Sequence, residues 1–382
     1  MSPLDLRLVG ARVLMQGALA EAPLRIAGGV VVEDMPGREV DLRGYLVMPG
    51  IVDIHGDGFE KHLAPRRGAM KEVGEGLIAA EAELAANGIT TAVLAQFWSW
   101  EGGMRGPDFA ARVFAGVAGI ADRVVTDLIL QLRFETPMLD HYDALAGVIA
   151  QHDIGYVVFN DHLPHDELAR GKRPPRLTGQ ALRIGKNPER HLADMRAMHL
   201  RMGEVPGAIG PLCARLAEMG VRLGSHDDRS AEERDRWRSL GARIAEFPET
   251  ADAVEAAAMA GDGVIMGAPN LVRGGSHKGN VSAAEQVMMG HVTALASDYH
   301  YPSLVRAMRL LARSGVMDLA AAWALVSSGP AGLLGLDDRG AFARGQRADL
   351  VVLEPETLRV MATIAGGRVG AMKAEVAARF IG

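Results

Sequence analysis

Apolar residues along this chain gather into three regimes. The first 48 residues hold short strand-like runs over 5–14, 24–33 and 39–48, broken at Gly10, Gly17, Gly28-Gly29 and Pro36-Gly37. Gly and Pro interrupt regular structure and mark turns, so these read as short β-strands. The last 45 residues repeat the pattern: 347–353 reads as a strand, and 360–364 with Arg368-Val369 as a hairpin turning at Gly366-Gly367. Between these ends, apolar runs at 51–54, 90–95, 127–132, 155–159, 222–225, 244–247, 264–266 and 294–297 alternate with Ala-rich helical stretches. Eight such strands predict an α/β fold, a closed (β/α)8 barrel of the TIM type, because parallel strands need helical crossovers to cover both faces. The expected division is a barrel over residues 49–336 and a small β-sandwich domain built from both termini, 1–48 plus 337–382. An open doubly wound sheet is the alternative, and the lack of a Gly-rich phosphate fingerprint after the first strand speaks against it. Residues 165–211, long, charged and rich in Pro, Arg and Lys, predict a partly helical excursion over the active-site face.

Composition narrows the function more than the fold. The chain has 382 residues, 48% of them hydrophobic, enough for a sizeable core. A net charge of −6 gives no overall attraction to nucleic acid or to an anionic membrane, so an anionic substrate would need local positive charge. The single Cys213 excludes an internal disulfide and fits a reducing compartment. The chain lacks an apolar run of about 18 residues and a basic-then-apolar start. It therefore reads as a soluble cytoplasmic protein with a small-molecule substrate.

The strand ends carry the chemistry. In a strand, residues i and i+2 share a side, so His55 and Asp57 are expected to face one spot at the carboxyl end of the first barrel strand, where barrel enzymes hold their catalytic groups. Further strands run into Arg133-Phe134-Glu135, Asn160-Asp161-His162, His226-Asp227-Asp228, Glu246-Phe247 and Asp298. A strand-end His capped by a turn Asp would explain His55 and Asp57 alone; it does not explain the recurrence. Two divalent ions about 4 Å apart need imidazoles, terminal carboxylates and a bridging carboxylate that offsets their repulsion. The expected assignment is His55 and Asp57 on one ion, His162 and His226 on the other, and Glu135 between them. Asp298 would contact a metal and act as the catalytic base. Mixed N and O ligands accept zinc, manganese or iron.

A second constellation spans 267–280, after the strand at 264–266. Its glycines, Gly275 among them, permit close backbone approach, while Arg273, Ser276, His277 and Lys278 offer donors to anionic oxygens. With Arg133 and Asn280 they form the candidate substrate-binding set, a flexible loop being the alternative. Lys172 and Arg173 read as a solvated face, Trp98 and Trp100 as pocket or packing residues, and His141, His152, His191, His199 and His291 as structural or surface residues.

The β-rich ends, the Pro-Gly strand opening onto a His, and Gly345-Gln346-Arg347-Ala348-Asp349-Leu350-Val351 resemble the amidohydrolase superfamily. Within it, five segments resemble the ribose triphosphate diphosphatases of phosphonate catabolism, and the likeness spans essentially the whole chain. They are Leu132-Arg133-Phe134-Glu135, Asp161-His162-x-Pro164, Ser225 to Asp228 with Ala245 to Pro248, Met266 to Asn280, and Ser297-Asp298-Tyr299. The resemblance implies a metal-dependent hydrolase releasing pyrophosphate from α-D-ribose 1-methylphosphonate 5-triphosphate, with Arg273 to Lys278 on the phosphates. It also implies that Asp57 and Glu135 stand in for the superfamily's usual second His and carboxylated Lys. Gln131 (where the family tends to have His), His165-Asp166 (for Gly-Gln) and Lys278 (for Ser) depart from the pattern in the pocket, and so bear on the exact substrate. An N-acyl amino acid or sugar deacetylase and a related phosphoester hydrolase are the enzyme alternatives; a scaffold with a degenerate site is the non-enzyme one. A homodimer is compatible with the sequence, which specifies neither oligomeric state nor metal.

Overall fold

The computed structural model describes residues 2–34, 37–64, 72–275 and 280–381. Its N-terminal strands are β1 (Leu6–Val9), β2 (Arg12–Met15), β3 (Ala18–Glu21), β4 (Leu24–Ala27), β5 (Val30–Val32), β6 (Arg38–Asp41) and β7 (Leu46–Pro49). The barrel strands follow as β8 (Ile51–Gly56), β9 (Ile89–Trp98), β10 (Asp127–Glu135), β11 (Tyr156–Asn160), β12 (Arg222–His226), β13 (Ile244–Glu246), β14 (Gly263–Gly267) and β15 (Ala294–Ala296). The last three strands are β16 (Leu350–Leu353), β17 (Val360–Ala365) and β18 (Arg368–Met372).

Both termini build the small sheets. A six-stranded sheet runs β18-β17-β16-β7-β2-β3, with Val47 of β7 opposite Val352 of β16, and a four-stranded sheet runs β5-β4-β1-β6. Leu8, Leu24, Ile26, Val47, Val352 and Ile364 meet in one buried cluster between them, which makes the pair a sandwich. A C-terminal helix, Ala374–Ile381, which the sequence pattern did not single out, adds Val376 and Phe380 to the same cluster.

The eight barrel strands pair in sequence order, all parallel. A sheet covered on both faces reads as continuous apolar sequence, and β9 is buried at every position. Val52, Ile54, Val93, Tyr156, Val158 and Ile265 fill the interior, with Ala331 and Leu334 of the helix Ser328–Leu334 packed against them. The sheet closes between β15 and β8. Asp298 N donates to His55 O (3.0 Å), Asp57 N to Asp298 O (2.9 Å), and Asp53 accepts from Ser297 N (2.9 Å) and Ser297 Oγ (2.5 Å). The seam of the barrel therefore runs through the residues the sequence marks as chemical.

Gly50 joins sandwich to barrel, and only glycine fits there. A Cβ would lie 2.2 Å from Thr90 Oγ1 and 2.9 Å from the Asp349 side chain. The charged excursion is mostly helical, as His165–Ala169, Leu177–Arg183, Pro188–Leu200 and Val205–Glu218. No helix among the described residues is long and apolar enough to cross a membrane.

Candidate metal centre

Strand β8 departs from strict alternation just before the expected His55–Asp57 pair. Asp53 pairs with Ala92 and Gly56 with Leu94, so β8 carries one extra residue, a bulge, between them. Ile54 packs into the barrel interior while the next residue, His55, faces the site as well. Bulges of this kind re-aim side chains beside active sites. Asp57 lies beyond the strand's end, with Oδ2 3.8 Å from Arg133 Nη1.

The carboxylate brought against His55 is Glu246, at the end of β13. Its Oε1 accepts from Gln131 Nε2 and Tyr156 Oη, both 2.6 Å away, while its Oε2 lies 2.9 Å from His55 Nδ1. That contact has the distance of a hydrogen bond but not its angle: neither Glu246 Oε2 nor either ring nitrogen of His55 has a hydrogen-bond partner among the described residues. Burial opposes ionisation of Glu246, yet the adjoining His55 and His226 and the Tyr156 hydroxyl hold its carboxyl down at about 2. His55, whose burial favours the neutral ring, is raised by the same pairing. Two facing lone-pair atoms, buried and off hydrogen-bond geometry, are what a cation-binding pair requires.

His226 joins two groups. Ligand atoms of His55, His226 and Glu246 lie within 4.8 Å of one another, and so do those of His162, His226 and Asp227. Its Nε2 accepts from Arg133 Nη2 (2.9 Å) and its Nδ1 lies 3.1 Å from Asp227 Oδ1, so a cation on Nε2 would replace the guanidinium contact. Burial first, then Arg133, depress the His226 pKa and keep the ring neutral. Glu135, expected between two ions, instead backs His162. It accepts from the His162 backbone N–H (3.0 Å) and meets Nδ1 at 2.5 Å, leaving Nε2 as the ring nitrogen not engaged by it. A carboxylate behind a His in this way fixes the tautomer and raises basicity. Asp298 sits at the seam with φ +56°, its carboxyl raised to about 6 by burial and by Asp57, against the pull of His55 and Arg133. Asp227 (φ +60°) and Phe247 (φ +52°) share this left-handed backbone at neighbouring strand ends. For a bulky residue such as Phe247 that conformation is strained, and such strain gathers at functional sites.

A cavity of about 330 Å³ is lined by Asp57, Arg133, His162, His226, Asp227 and Asp298 and also by Arg105, Arg273 and Asn280, while His55, Glu135 and Glu246 are not among its lining residues. Arg273 donates to Tyr299 Oη (2.7 Å) and Asn280 to Glu249 Oε1 (3.2 Å). The expected open loop begins as a helix, Ala268–Arg273, and Gly275 N donates back to Asn270 O (3.2 Å). Gly275 is not among the described lining residues, and Ser276, His277 and Lys278 lie outside the described residues. Arg173 pairs with Glu189 on the exposed excursion, and Trp98 and Trp100 pack in the core beside His141 and His191. Arg105, Asp227 and Glu246 are functional groups that the sequence pattern does not assign. The last two were visible as strand-end carboxylates; Arg105 carried no signal of its own.

A sandwich fed by both termini, a closed barrel, and His and carboxylate groups gathered at its carboxyl rim define a hydrolase of the amidohydrolase superfamily, and this chain belongs to it. The model of the amidohydrolase family matches residues 285–370. The chain is 31% identical over 322 residues to the alpha-D-ribose 1-methylphosphonate 5-triphosphate diphosphatase of Escherichia coli (strain K12), covering 82% of this chain and 84% of that protein. Among solved structures the fold is similar to a triazine hydrolase variant (TM-score 0.65, 12% identity, 99% of each chain). It is also similar to the N-acetyl-D-glucosamine-6-phosphate deacetylase of Mycobacterium smegmatis (TM-score 0.61, 18% identity, 96% of this chain and 99% of that one). Those two show the fold alone.

Proposed function

We propose that this chain hydrolyses the phosphoanhydride of a small anionic substrate, releasing pyrophosphate from α-D-ribose 1-methylphosphonate 5-triphosphate or a close analogue. The observation that carries the reading is one cavity lined by the candidate donors His162, His226 and Asp227 together with three arginines. The 31% identical diphosphatase supports the choice of substrate.

One pair fits a divalent cation best: the ring nitrogens of His55 and Oε2 of Glu246 are buried and lie together without hydrogen-bond partners among the described residues. His55 and Glu246 would hold one ion, and His162 and Asp227 a second, with His226, whose neutral ring carries a single lone pair, serving one of the two; zinc, manganese or iron suits such N/O ligands. Bound there, the ions would supply Lewis-acid activation of a water and of the phosphoryl oxygens. Asp298, ionisable near neutrality and beside Asp57, takes the water's proton as the water oxygen bonds to the α-phosphorus. The bond from that phosphorus to the α,β-bridging oxygen breaks, and the bridging oxygen leaves with pyrophosphate. Arg105, Arg133 and Arg273 meet the charge on the departing group.

A substrate panel tests this. Metal-loaded protein should release pyrophosphate from the ribose triphosphate and no acid from N-acylated amino acids or sugars. Acid release with intact triphosphate would replace it by the deacylase reading.

A further inference from the structure

His162, His226 and Asp227 are common to two cavities. One is the arginine-lined space of about 330 Å³; the other, about 740 Å³, extends away from it beneath the helical excursion. The larger is walled by Met202, Val205, Ile209, Trp237 and Leu240, with His165 on its lining too. Volumes of a few hundred Å³ suit small ligands. The two spaces differ in chemistry. In the smaller, Phe97 carries the Arg133 guanidinium 3.9 Å and the Arg105 guanidinium 4.3 Å from its ring centroid. Arg105 is further tied to Glu101 (2.8 Å). A ring that stacks guanidinium groups leaves their edge N–H donors free to fork onto oxygens. In the larger, the arginines Arg229 and Arg236 each pair with a carboxylate, Glu249 and Glu233, and the apolar residues stand beside further acids, Asp161, Asp166 and Glu167, so it offers a polyanion no free positive group.

From this we infer that substrate lies across the junction of the two cavities, with the leaving pyrophosphate in the Arg105–Arg133–Arg273 cavity and the organic part in the larger one. The inference rests on the phosphoanhydride reading and adds where each end goes. The reacting phosphorus then sits at the shared residues His162, His226 and Asp227, where the candidate ions would be. The smaller cavity pairs its three arginines with Asp57, Asp227 and Asp298, so it becomes a polyanion site only when divalent cations offset those carboxylates. Arg105 is thereby assigned as a phosphate-binding residue. The larger cavity sets which organic group is accepted, and His165, where the resembling family tends to have Gly, lies on its wall.

Calorimetric binding to the metal-loaded protein separates the two ends. The probes are inorganic pyrophosphate and the α,β-methylene analogue of a ribose 5-triphosphate, whose bridging carbon blocks cleavage. Arg105→Met should weaken pyrophosphate at least tenfold. Val205→Trp, filling the larger cavity, should leave pyrophosphate within twofold and weaken the analogue at least tenfold; Met202→Trp repeats this arm should Val205→Trp not fold. Pyrophosphate unchanged by Arg105→Met, equal losses of both probes in the cavity-filling variant, or binding of neither probe by the wild type would overturn the assignment. If pyrophosphate is released from the cleavable compound while these shifts fail, only the placement falls. If the shifts appear and no pyrophosphate is released, the proposed reaction falls and the placement stands.

Discussion

At Glu246, two hydrogen bonds to one oxygen decide what the other can do. Tyr156 and Gln131 hold Oε1, so Oε2 is left to His55. Gln131, a departure from the resembling family, is in this chain a support for that carboxylate. Glu246→Gln removes the charge at nearly constant volume and should lower metal affinity about 100-fold, whereas Gln131→Ala should cost about tenfold, in the range for groups that orient metal ligands. Competition with a chromogenic chelator measures both; unchanged affinity in Glu246→Gln would remove it from the cation site. His55, His162 and His226 were legible because each ends an apolar run. The partners of Glu246 were not, since they stand 115 and 90 residues away along the chain and meet it only when the barrel closes. Arg105 was invisible for a related reason: its use depends on the face of Phe97, which in the sequence is one more apolar strand residue.

Among the elements, the seam between β15 and β8 does most to position the site. Asp53, wholly buried and with its carboxyl raised to about 6 mainly by burial, accepts two bonds from Ser297 and so fixes Asp298 beside His55 and Asp57. Ser297→Ala leaves that buried carboxylate short of a donor and should destabilise the fold by about 1–3 kcal/mol, read by denaturant unfolding. On the helix Ala231–Ser239 that follows β12, fully buried Arg234 bonds Asp228 and Ser225 and lies 3.5 Å from Asp262. Arg234→Leu strands buried carboxylates and should cost about 3–5 kcal/mol; a loss below about 1 kcal/mol would show that the acids relax into water. All eight barrel strands could be read from the apolar runs, because strands covered on both faces have to be apolar. The bulge in β8 could not: an inserted residue changes which side His55 faces without changing the composition of the strand.

In the whole molecule, folding and metal binding form one linked equilibrium. Donor groups from β8, β11 with its following turn, β12 and β13 come together only in the closed barrel, so ions that bind the folded state alone must stabilise it. Chelation should lower the melting temperature and abolish pyrophosphate binding, with both restored by added metal; linkage gives about 4 kcal/mol at a free-ion concentration near 1,000 times Kd. A melting temperature indifferent to chelator would mean the donors are an internal ion-pair network. Attack at the α-phosphorus is what separates this reaction from loss of a terminal phosphate. Turnover of the ribose triphosphate by metal-loaded protein in ¹⁸O-labelled water, with products resolved by mass spectrometry, tests it most directly. Attack at the α-phosphorus predicts one labelled oxygen in the ribosyl monophosphate and none in pyrophosphate. Label in the pyrophosphate, release of orthophosphate, or an intact triphosphate would contradict it.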